Sequence, residues 1–172
     1  MVFLETERLV FRSHQAEDEK HFVEMQKDPM VRRFAGGNPW NEERARTRFR
    51  AEYLGRPVGH DGLWATVLRS ENAYIGHCGI CARETATEVR LTYYIAQPHW
   101  NCGYVTEASR GFVDLAFQKL NFEKIVADIE VGNFASLRVL EKLGFTFHRS
   151  EELRGRVFHL YELTIERWRA GV

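Results

Sequence analysis

The feature that most constrains the fold is one broad amphipathic helix pattern between two strand-like runs. Apolar residues recur at helical spacing over about residues 106–120 in two adjacent rows, which predicts a helix packed closely against a sheet. Runs rich in strand-forming residues precede it at 88–96 and follow it at 124–131. Because a helical crossover joins strands that run in the same direction, the sequence predicts one parallel strand pair inside its sheet.

The other predicted strands are joined mostly by short turns. Runs at 63–69, 73–83 and 88–96 are separated by short polar segments, which predicts an antiparallel meander. The remaining predicted elements are a first strand at 8–12, helices at about 17–27, 42–53 and 134–143, final strands at 145–151 and 157–165, and a turn-rich loop at 55–62. We therefore expect an α/β (α+β) protein, a single domain over residues 1–172, with a mixed, mostly antiparallel twisted sheet of about seven strands and about four flanking helices.

Composition excludes several classes of protein. With 44% hydrophobic and 28% charged residues, a chain of 172 residues can bury one core without help from metals or disulfides. The 24 basic and 24 acidic residues cancel, so the basic excess typical of a nucleic-acid-binding protein is missing. No apolar run approaches the roughly 20 residues that span a bilayer, and the first residues lack the pattern of a signal peptide. We expect no nucleic-acid or membrane partner and a cytoplasmic location.

The three cysteines do not suggest a disulfide framework. Cys78 and Cys81 form a CxxC pair inside a predicted strand, and no second Cys or His pair lies at zinc-finger spacing. We interpret these two residues as small buried thiols, and we predict no metal site.

The most informative segment is the place where a predicted strand ends and the amphipathic helix begins. Residues 95–108 pass through a turn containing Pro98 and Gly103 directly into that helix. The first amides of a helix lack an intrahelical acceptor, and with the helix dipole they can bind an anion. Gly103 would let a ligand approach the backbone closely. A plain strand–turn–helix corner with nothing bound is the alternative.

Two motifs favour the ligand-binding interpretation. Residues 100–108 read W-N-C-G-Y-V-T-E-A, and residues 133–145 read N-F-A-S-L-R-V-L-E-K-L-G-F. They resemble, in order and spacing, the motifs W-G-x-G-Y-A-T-E-A and N-x-x-S-x-x-x-x-x-K-L-G-F of the GNAT superfamily of N-acetyltransferases. The chain is most similar to the branch that includes the ribosomal-protein N-terminal acetyltransferases (RimJ/RimL type), which its residues 4–12 also resemble.

The resemblance implies a GNAT-like fold with splayed central parallel strands, and acetyl-CoA as cosubstrate. Backbone amides of one loop would hold the CoA diphosphate. That loop comprises Asn101, Cys102, Gly103, Tyr104, Val105 and Thr106. The pantetheine arm would pair with the strand edge at Tyr94, Ile95 and Ala96, and Asn133 would hydrogen-bond it. A backbone N–H near Ile95 would stabilise the oxyanion, and Ser136 would bind CoA near its sulfur and act as general acid toward the leaving thiolate.

The general base is less clearly marked than the CoA site. An amine is protonated at neutral pH and must lose a proton before it attacks a thioester, usually to a carboxylate and often through water. Relatives often have Glu where this chain has Arg90, which cannot act as a base. Glu88 faces the same side of the strand and is the candidate base, with a solvated rim carboxylate as the alternative. Glu107 lies in the first helical turn, where we predict a dipole or capping role.

The acceptor pocket is expected near the first two helices, which shape it in the family. Phe34 and Trp40 are the candidate acceptor-binding residues, although Trp40 could also close the edge of the core. The surrounding arginines are Arg32, Arg33, Arg44, Arg46, Arg48 and Arg50. They could attract an acidic acceptor or the CoA phosphates, or they could form a solvated helix face.

Together these features predict an acetyl-CoA-dependent N-acetyltransferase. It would act on a protein N-terminus or a small-molecule amine by direct attack through a tetrahedral intermediate. The alternative is a CoA-binding sensor or interaction module without turnover. Its support is Arg90, which stands in place of a carboxylate. Exposed strand edges are compatible with a homodimer.

Overall fold

A single sheet organises the fold. The computed structural model describes residues 2–56, 61–83 and 85–171, and these residues form eight strands and six helices. The strands are β1 (Val2–Glu5), β2 (Leu9–Arg12), β3 (Gly62–Leu68), β4 (Ala73–Ala82), β5 (Glu88–Ile95), β6 (Lys124–Glu130), β7 (Thr146–Leu153) and β8 (Arg156–Thr164). The helices are α1 (Glu19–Lys27), α2 (Pro29–Arg32), α3 (Glu42–Glu52), α4 (Tyr104–Gln118), α5 (Phe134–Lys142) and α6 (Ile165–Arg169).

The sheet order is β1-β2-β3-β4-β5-β6-β8-β7, and its neighbouring strands are antiparallel except for β5 and β6. Helix α4 connects these two strands, so the predicted parallel pair is confirmed. Residues 88–90 pair with residues 124–126, and no further pairs follow. Residues 91–95 and 127–130 therefore border an opening in the sheet, called here the β5–β6 gap.

The predicted fold class is confirmed, with eight strands where about seven were expected. Strand β1 forms a hairpin with β2, closed by a hydrogen bond from the Thr6 N–H to the Leu9 C=O at 2.9 Å. Four-residue strands are too short to show a clear alternation, which explains why β1 was not predicted. Residues 57–60 of the predicted loop at 55–62 lie outside the described residues.

Two short helices were also not predicted. Helix α1 ends before Pro29 as expected, but this proline then occupies the first turn of α2, and the Asp28 side chain accepts from the Met30 N–H at 2.8 Å. Strand β8 ends at Thr164, whose side chain caps α6. In both cases a capping residue starts a new helix where the sequence pattern indicated only an end.

Apolar side chains pack against both faces of the sheet. On the face covered by α4, Phe112 is fully buried and meets Phe11 edge to face at a centroid distance of 5.0 Å. Truncation of such a ring to alanine costs about 3–5 kcal/mol. On the opposite face, covered by α1 and α3, the rings of Phe22 and Phe49 lie 5.1 Å apart. The β5–β6 gap therefore has an α4 face and an α1–α3 face.

The CxxC pair does not act as a unit. Cys78 is buried and Cys81 is half-buried, both are free thiols, and a spacing of three along a strand places them on opposite faces. Among residues 2–56, 61–83 and 85–171, no group of three or more His, Cys, Asp or Glu residues could hold a metal ion. In the same ranges, no helix has the length and apolar character needed to cross a membrane.

Two buried histidines lie in the core of the α1–α3 face. The rings of His14 and His77 are 6.0 Å apart, and the Tyr74 hydroxyl lies 3.3 Å from His77 Nδ1. Within the described part of the chain, neither Nε2 atom has a hydrogen-bond partner. Burial lowers the pKa of His14 to about 4 and lowers the pKa of His77 well below its usual value. Both imidazoles are therefore neutral in the folded protein at neutral pH.

We expect the free energy of unfolding to fall as the pH drops from about 6.5 toward 4. An unfolded histidine takes up a proton near pH 6.5, whereas folded His14 does so only near pH 4, so the unfolded state binds more protons in this window. For His14 the loss is about 2 kcal/mol by pH 5. Urea unfolding at pH 7.5 and pH 5 measures it, and His14→Leu should show a smaller loss than the wild type. Equal losses in the two proteins would contradict this origin.

Candidate active site

Six consecutive backbone amides are left without acceptors at the N-terminus of α4. Asn101 and Gly103 adopt left-handed conformations, with φ of +61° and +81°, and turn the chain into the helix. In the described residues, the amides of 101–106 donate to no backbone or side-chain acceptor, and the next amide, of Glu107, donates to the Gly103 C=O at 3.0 Å. This arrangement suits a multiply charged anion such as a diphosphate.

An ion pair fixes this loop to the β1–β2 turn. Glu107 accepts from the Thr6 hydroxyl at 2.6 Å, from the Arg8 N–H at 2.8 Å and from Arg8 Nε at 2.6 Å. The Arg8 guanidinium also donates to the Cys102 C=O at 3.0 Å and lies 4.6 Å from the Tyr104 ring centroid. Glu107 thus lies in the first helical turn as predicted, and through Arg8 it also holds the loop itself.

An open groove of about 830 Å³ extends from the loop along α4. Gly103 and Thr106 line it at the loop. Both signs of charge line the rest, with the cations Arg8, Arg110, Lys119 and Lys142 and the carboxylates Glu5, Glu7, Glu107 and Asp114. The residues that border the β5–β6 gap are not among its lining. The groove therefore extends the loop site along the helix and does not lead into the gap.

The edge of β5 presents only some of its backbone groups to the gap. The Ala96 N–H donates to the Ile75 C=O at 2.9 Å, on the side of β4. Because backbone groups of successive strand residues point to opposite edges, those of Ile95 and Tyr93 face the gap. Trp100 Nε1 donates to the Ile95 C=O at 2.7 Å. Of the predicted edge residues, Ile95 therefore presents its N–H to the gap, whereas Ala96 is engaged by β4.

Three polar side chains meet on the α4 face beside the gap. Asn133 caps α5, with its Oδ1 accepting from the Ser136 N–H at 3.2 Å. The Ser136 hydroxyl lies close enough to the phenol of Tyr93 to act on its pKa. Burial raises the pKa of Tyr93 to about 12, although the contact with Ser136 lowers it. The phenol therefore stays protonated at neutral pH and can donate a hydrogen bond.

Two carboxylates lie on β5 and β6 near the gap, in different settings. Glu88 lies where the strands are still paired, and Arg83 at 2.7 Å and Lys124 at 2.8 Å both engage it. Arg90, the last paired residue of β5, reaches Asp128 at 2.7 Å. Asp128 belongs to the part of β6 that is not paired with β5 and therefore borders the gap, whereas Glu88 lies in the paired part.

The candidate acceptor-binding residues lie on or near the α1–α3 face. Trp40 packs against the same apolar cluster as Tyr94, which belongs to the gap portion of β5. Three guanidinium groups lie over the Trp40 ring at 4.5, 4.8 and 5.8 Å, those of Arg32, Arg44 and Arg48. Phe34 is half-buried outside that cluster, and a neighbouring guanidinium lies 5.1 Å from its ring. The structure thus brings Trp40, but not Phe34, into one cluster with the gap.

The match to a known family decides how this site is interpreted. The acetyltransferase (GNAT) domain family matches residues 8–146, which include the loop, the gap and α5. The chain belongs to the GNAT acetyltransferase family. A GNAT acetyltransferase binds acetyl-CoA, and the free amides, the groove and the gap are the features of this chain that are open to such a ligand.

Two curated relatives agree with this assignment. The uncharacterised N-acetyltransferase p20 of Bacillus licheniformis is 25% identical over 171 residues, 96% of each chain. The uncharacterised protein YkkB of Bacillus subtilis (strain 168) is 33% identical over 102 residues, 58% of this GNAT chain and 59% of YkkB. The chain therefore matches less than two thirds of the length of YkkB but nearly all of p20.

Solved structures confirm the GNAT fold. A GNAT-family acetyltransferase from Bacillus anthracis superposes with a TM-score of 0.85 at 20% identity, covering 96% of this chain and 99% of that one. A spermidine N-acetyltransferase from Vibrio cholerae, in complex with CoA and spermine, superposes with a TM-score of 0.75 at 14% identity, covering 95% and 99%.

Sequence reasoning missed three residues of this site. Arg8 lies 99 positions from Glu107 and has no local pattern that predicts the pair. Asp128 looked like an ordinary strand residue, because its neighbour Arg90 is known only from the strand register. Tyr93 could have been found from strand parity, since it lies on the opposite face from Tyr94.

We expect Glu107→Gln to lower the free energy of unfolding at pH 7 by about 1–3 kcal/mol, because Gln cannot replace the charged acceptor of three hydrogen bonds. Burial raises the pKa of Glu107, but hydrogen bonds from Thr6 and Arg8 outweigh burial and leave the pKa below its usual value. The loss of unfolding free energy should therefore be present above about pH 4.3 and shrink below it. Urea unfolding at several pH values measures the loss and its pH dependence. The exposed Glu71→Gln is the control, and an equal loss there would contradict the role of Glu107.

Proposed function

We propose that this protein transfers an acetyl group from acetyl-CoA to a primary amine, on a protein N-terminus or a small molecule, by direct attack through a tetrahedral intermediate. The observation that carries the proposal is the run of six free amides at residues 101–106, at the N-terminus of a 15-residue helix beside the β5–β6 gap. A diphosphate bound there would leave the pantetheine arm of CoA directed toward the gap.

In this proposal the loop amides bind the diphosphate, from Asn101 to Thr106. The groove along α4 accommodates the nucleotide end of CoA, with Arg110 and Lys142 as cations for its phosphates. The pantetheine arm runs along the β5 edge predicted at Tyr94, Ile95 and Ala96, where it pairs with the backbone groups of Ile95 and Tyr93 that face the gap. The Asn133 side chain keeps its amide nitrogen available as a donor, because its oxygen caps α5.

At the reacting centre, the Ile95 N–H stabilises the oxyanion of the tetrahedral intermediate. Ser136 and Tyr93 lie beside the leaving sulfur. A phenol with a pKa of about 12 does not give up its proton fully to a thiolate whose conjugate acid has a pKa of about 8.5. The Ser136–Tyr93 pair therefore stabilises the thiolate mainly by hydrogen bonding, which refines the general-acid role predicted for Ser136.

The proton of the attacking amine goes to a carboxylate, for which Glu88 and Asp128 are the candidates. Glu88 is engaged by two cations at the closed end of the strand pair, and its side chain is 14% exposed. Asp128 borders the gap, has one cationic partner and is 24% exposed. We therefore favour Asp128, with Arg90 holding the carboxylate in position through the contact at 2.7 Å.

The acceptor reaches the gap from the α1–α3 face, past Trp40 and with Phe34 at its margin. A protein N-terminus as acceptor rests on the resemblance to the RimJ/RimL branch, which is part of the proposal. A homodimer also remains a prediction; every residue of β7, at the sheet edge, is exposed.

Release of free thiol from acetyl-CoA, measured across a panel of primary amines, tests the activity. We expect turnover with at least one amine and thermal stabilisation by CoA. Stabilisation by CoA without turnover on any amine would instead favour a sensor, and no stabilisation at millimolar CoA would remove the loop assignment.

We expect Gly103→Ala to weaken CoA binding by about tenfold, the contribution of one charge-assisted hydrogen bond. An alanine at φ +81° is strained, and this strain displaces the loop amides; its Cβ would lie 3.4 Å from Arg8 Nη2, which is an ordinary contact. Gly155→Ala is the matched control, since φ is +74° and nothing lies within 4 Å of its Cβ position. Both variants should lose about 1 kcal/mol of stability. Calorimetric titration with CoA should separate them, and equal affinities would contradict the assignment.

We expect Asp128→Asn to lower kcat/KM by about 10²–10⁴-fold, because the base is lost. Glu88→Gln should lower kcat/KM much less. Initial rates from pH 5 to pH 9 compare the two variants. The opposite order of effects would restore Glu88 as the base.

A further inference from the structure

One buried cation on the α1–α3 face lacks a counterion. Arg32 is 8% exposed, and in the described ranges no carboxylate lies within ion-pair distance of it. Two less buried arginines do have carboxylate partners: Arg12 makes two hydrogen bonds to Asp18, and Arg156 pairs with Glu130. Among the described residues, Arg32 is the only buried arginine, and it lacks such a partner.

The contacts of Arg32 use only part of its hydrogen-bonding capacity. Its Nη1 donates to Gln26 Oε1 at 3.1 Å, its Nε makes a long contact of 3.5 Å to the Asn38 C=O, and its guanidinium lies over the Trp40 ring. A guanidinium has five N–H donors. The two on Nη2 have no acceptor in the part of the chain that the structure describes, and Gly36 has no side chain to cover this nitrogen.

The surroundings of Arg32 do not supply negative charge. Burial lowers its pKa, and the cations Arg44 and Arg156 lower it further, whereas Tyr94 and Tyr53 raise it. An arginine nevertheless stays protonated at neutral pH. A buried cation among other cations is costly unless an anion joins it.

The position of Arg32 relates it to the reacting centre. Tyr94 raises the pKa of Arg32 and belongs to the part of β5 that is not paired with β6 and borders the gap. Arg156, its other neighbour, pairs with Glu130 at the end of β6 and donates to the Arg33 C=O at 2.9 Å, which links β8 to the end of α2. Arg32 thus lies on the α1–α3 face of the sheet, over the Trp40 ring and on the same side as Tyr94.

We propose that Arg32 binds a carboxylate of the acceptor, so that the acceptor is a small amino carboxylate of the amino-acid class. The inference rests on the proposed acetyltransferase function and specifies its acceptor. The free Nη2 N–H groups and a neighbouring N–H donate hydrogen bonds to the carboxylate oxygens. Trp40 packs against the rest of the acceptor. Arg90 and Arg156 are already neutralised by Asp128 and Glu130, so the anion goes to Arg32. A polycationic acceptor would meet like charge at this point.

The test compares acceptors with and without the carboxylate. Thiol release from acetyl-CoA is measured with the L-amino acids, with their amides, with ω-amino carboxylates of increasing length, and with spermine. We expect the best carboxylate to exceed its own amide by about 10- to 100-fold in kcat/KM, the value of a charge-assisted hydrogen bond to a buried arginine. Equal or higher rates with the amides or with spermine would overturn the inference while leaving the acetyltransferase function intact. No turnover with any amine would contradict the proposed function itself.

Arg32→Gln identifies the residue responsible. We expect it to reduce the carboxylate-to-amide ratio to about one by raising KM for the carboxylate, and Arg32→Lys should restore part of the ratio because it restores the charge. Arg44→Gln is the matched control, since Arg44 also lies over Trp40 but is exposed. Thermal stabilisation by CoA, measured on each variant, reports whether the fold and the donor site are intact. A stable Arg32→Gln variant that keeps the full preference would contradict the assignment.

Discussion

The separation of β5 from β6 after three residue pairs is the constraint on which the site depends. Beyond Arg90 the edge of β5 has no strand partner, so backbone groups at Tyr93 and Ile95 remain available in the middle of the sheet. The crossover that makes these strands parallel also places the N-terminus of α4 next to the end of β5. A free strand edge and a row of free amides at residues 101–106 therefore occur side by side, which is what an extended, diphosphate-bearing ligand requires.

Charge pairing around the gap divides the protein into a donor side and an acceptor side. On the donor side, the Arg8–Glu107 pair ties the loop to the β1–β2 turn, so the amides are held in place before any anion binds. On the opposite side, Arg90 pairs with Asp128, whereas the buried Arg32 has no carboxylate partner among the described residues. In the proposed reaction, the first arrangement would hold the CoA diphosphate, whereas the second would select among acceptor amines.

The fold and the run of free amides at residues 101–106 were largely predictable because their signals are local. The amphipathic stripe of α4 predicted the parallel pair, and the turn at Gly103 indicated the free amides without reference to distant residues. The short elements β1 and α2 were missed because four residues show no clear periodicity. The base was harder to predict, since Glu88 and Asp128 differ only in which cations the strand register brings to them.

The sequence by itself determined the order of the elements, the β5–α4–β6 crossover and the turn at residues 101–106, because backbone sterics and side-chain periodicity act over a few residues. Only the tertiary structure decided that Tyr93 lies near Ser136, that Asp128 borders the gap and that no carboxylate of the described residues lies within reach of Arg32. These relations join residues from separate elements. They depend on where two strands part and on which charges the sheet brings together, and no local pattern encodes either.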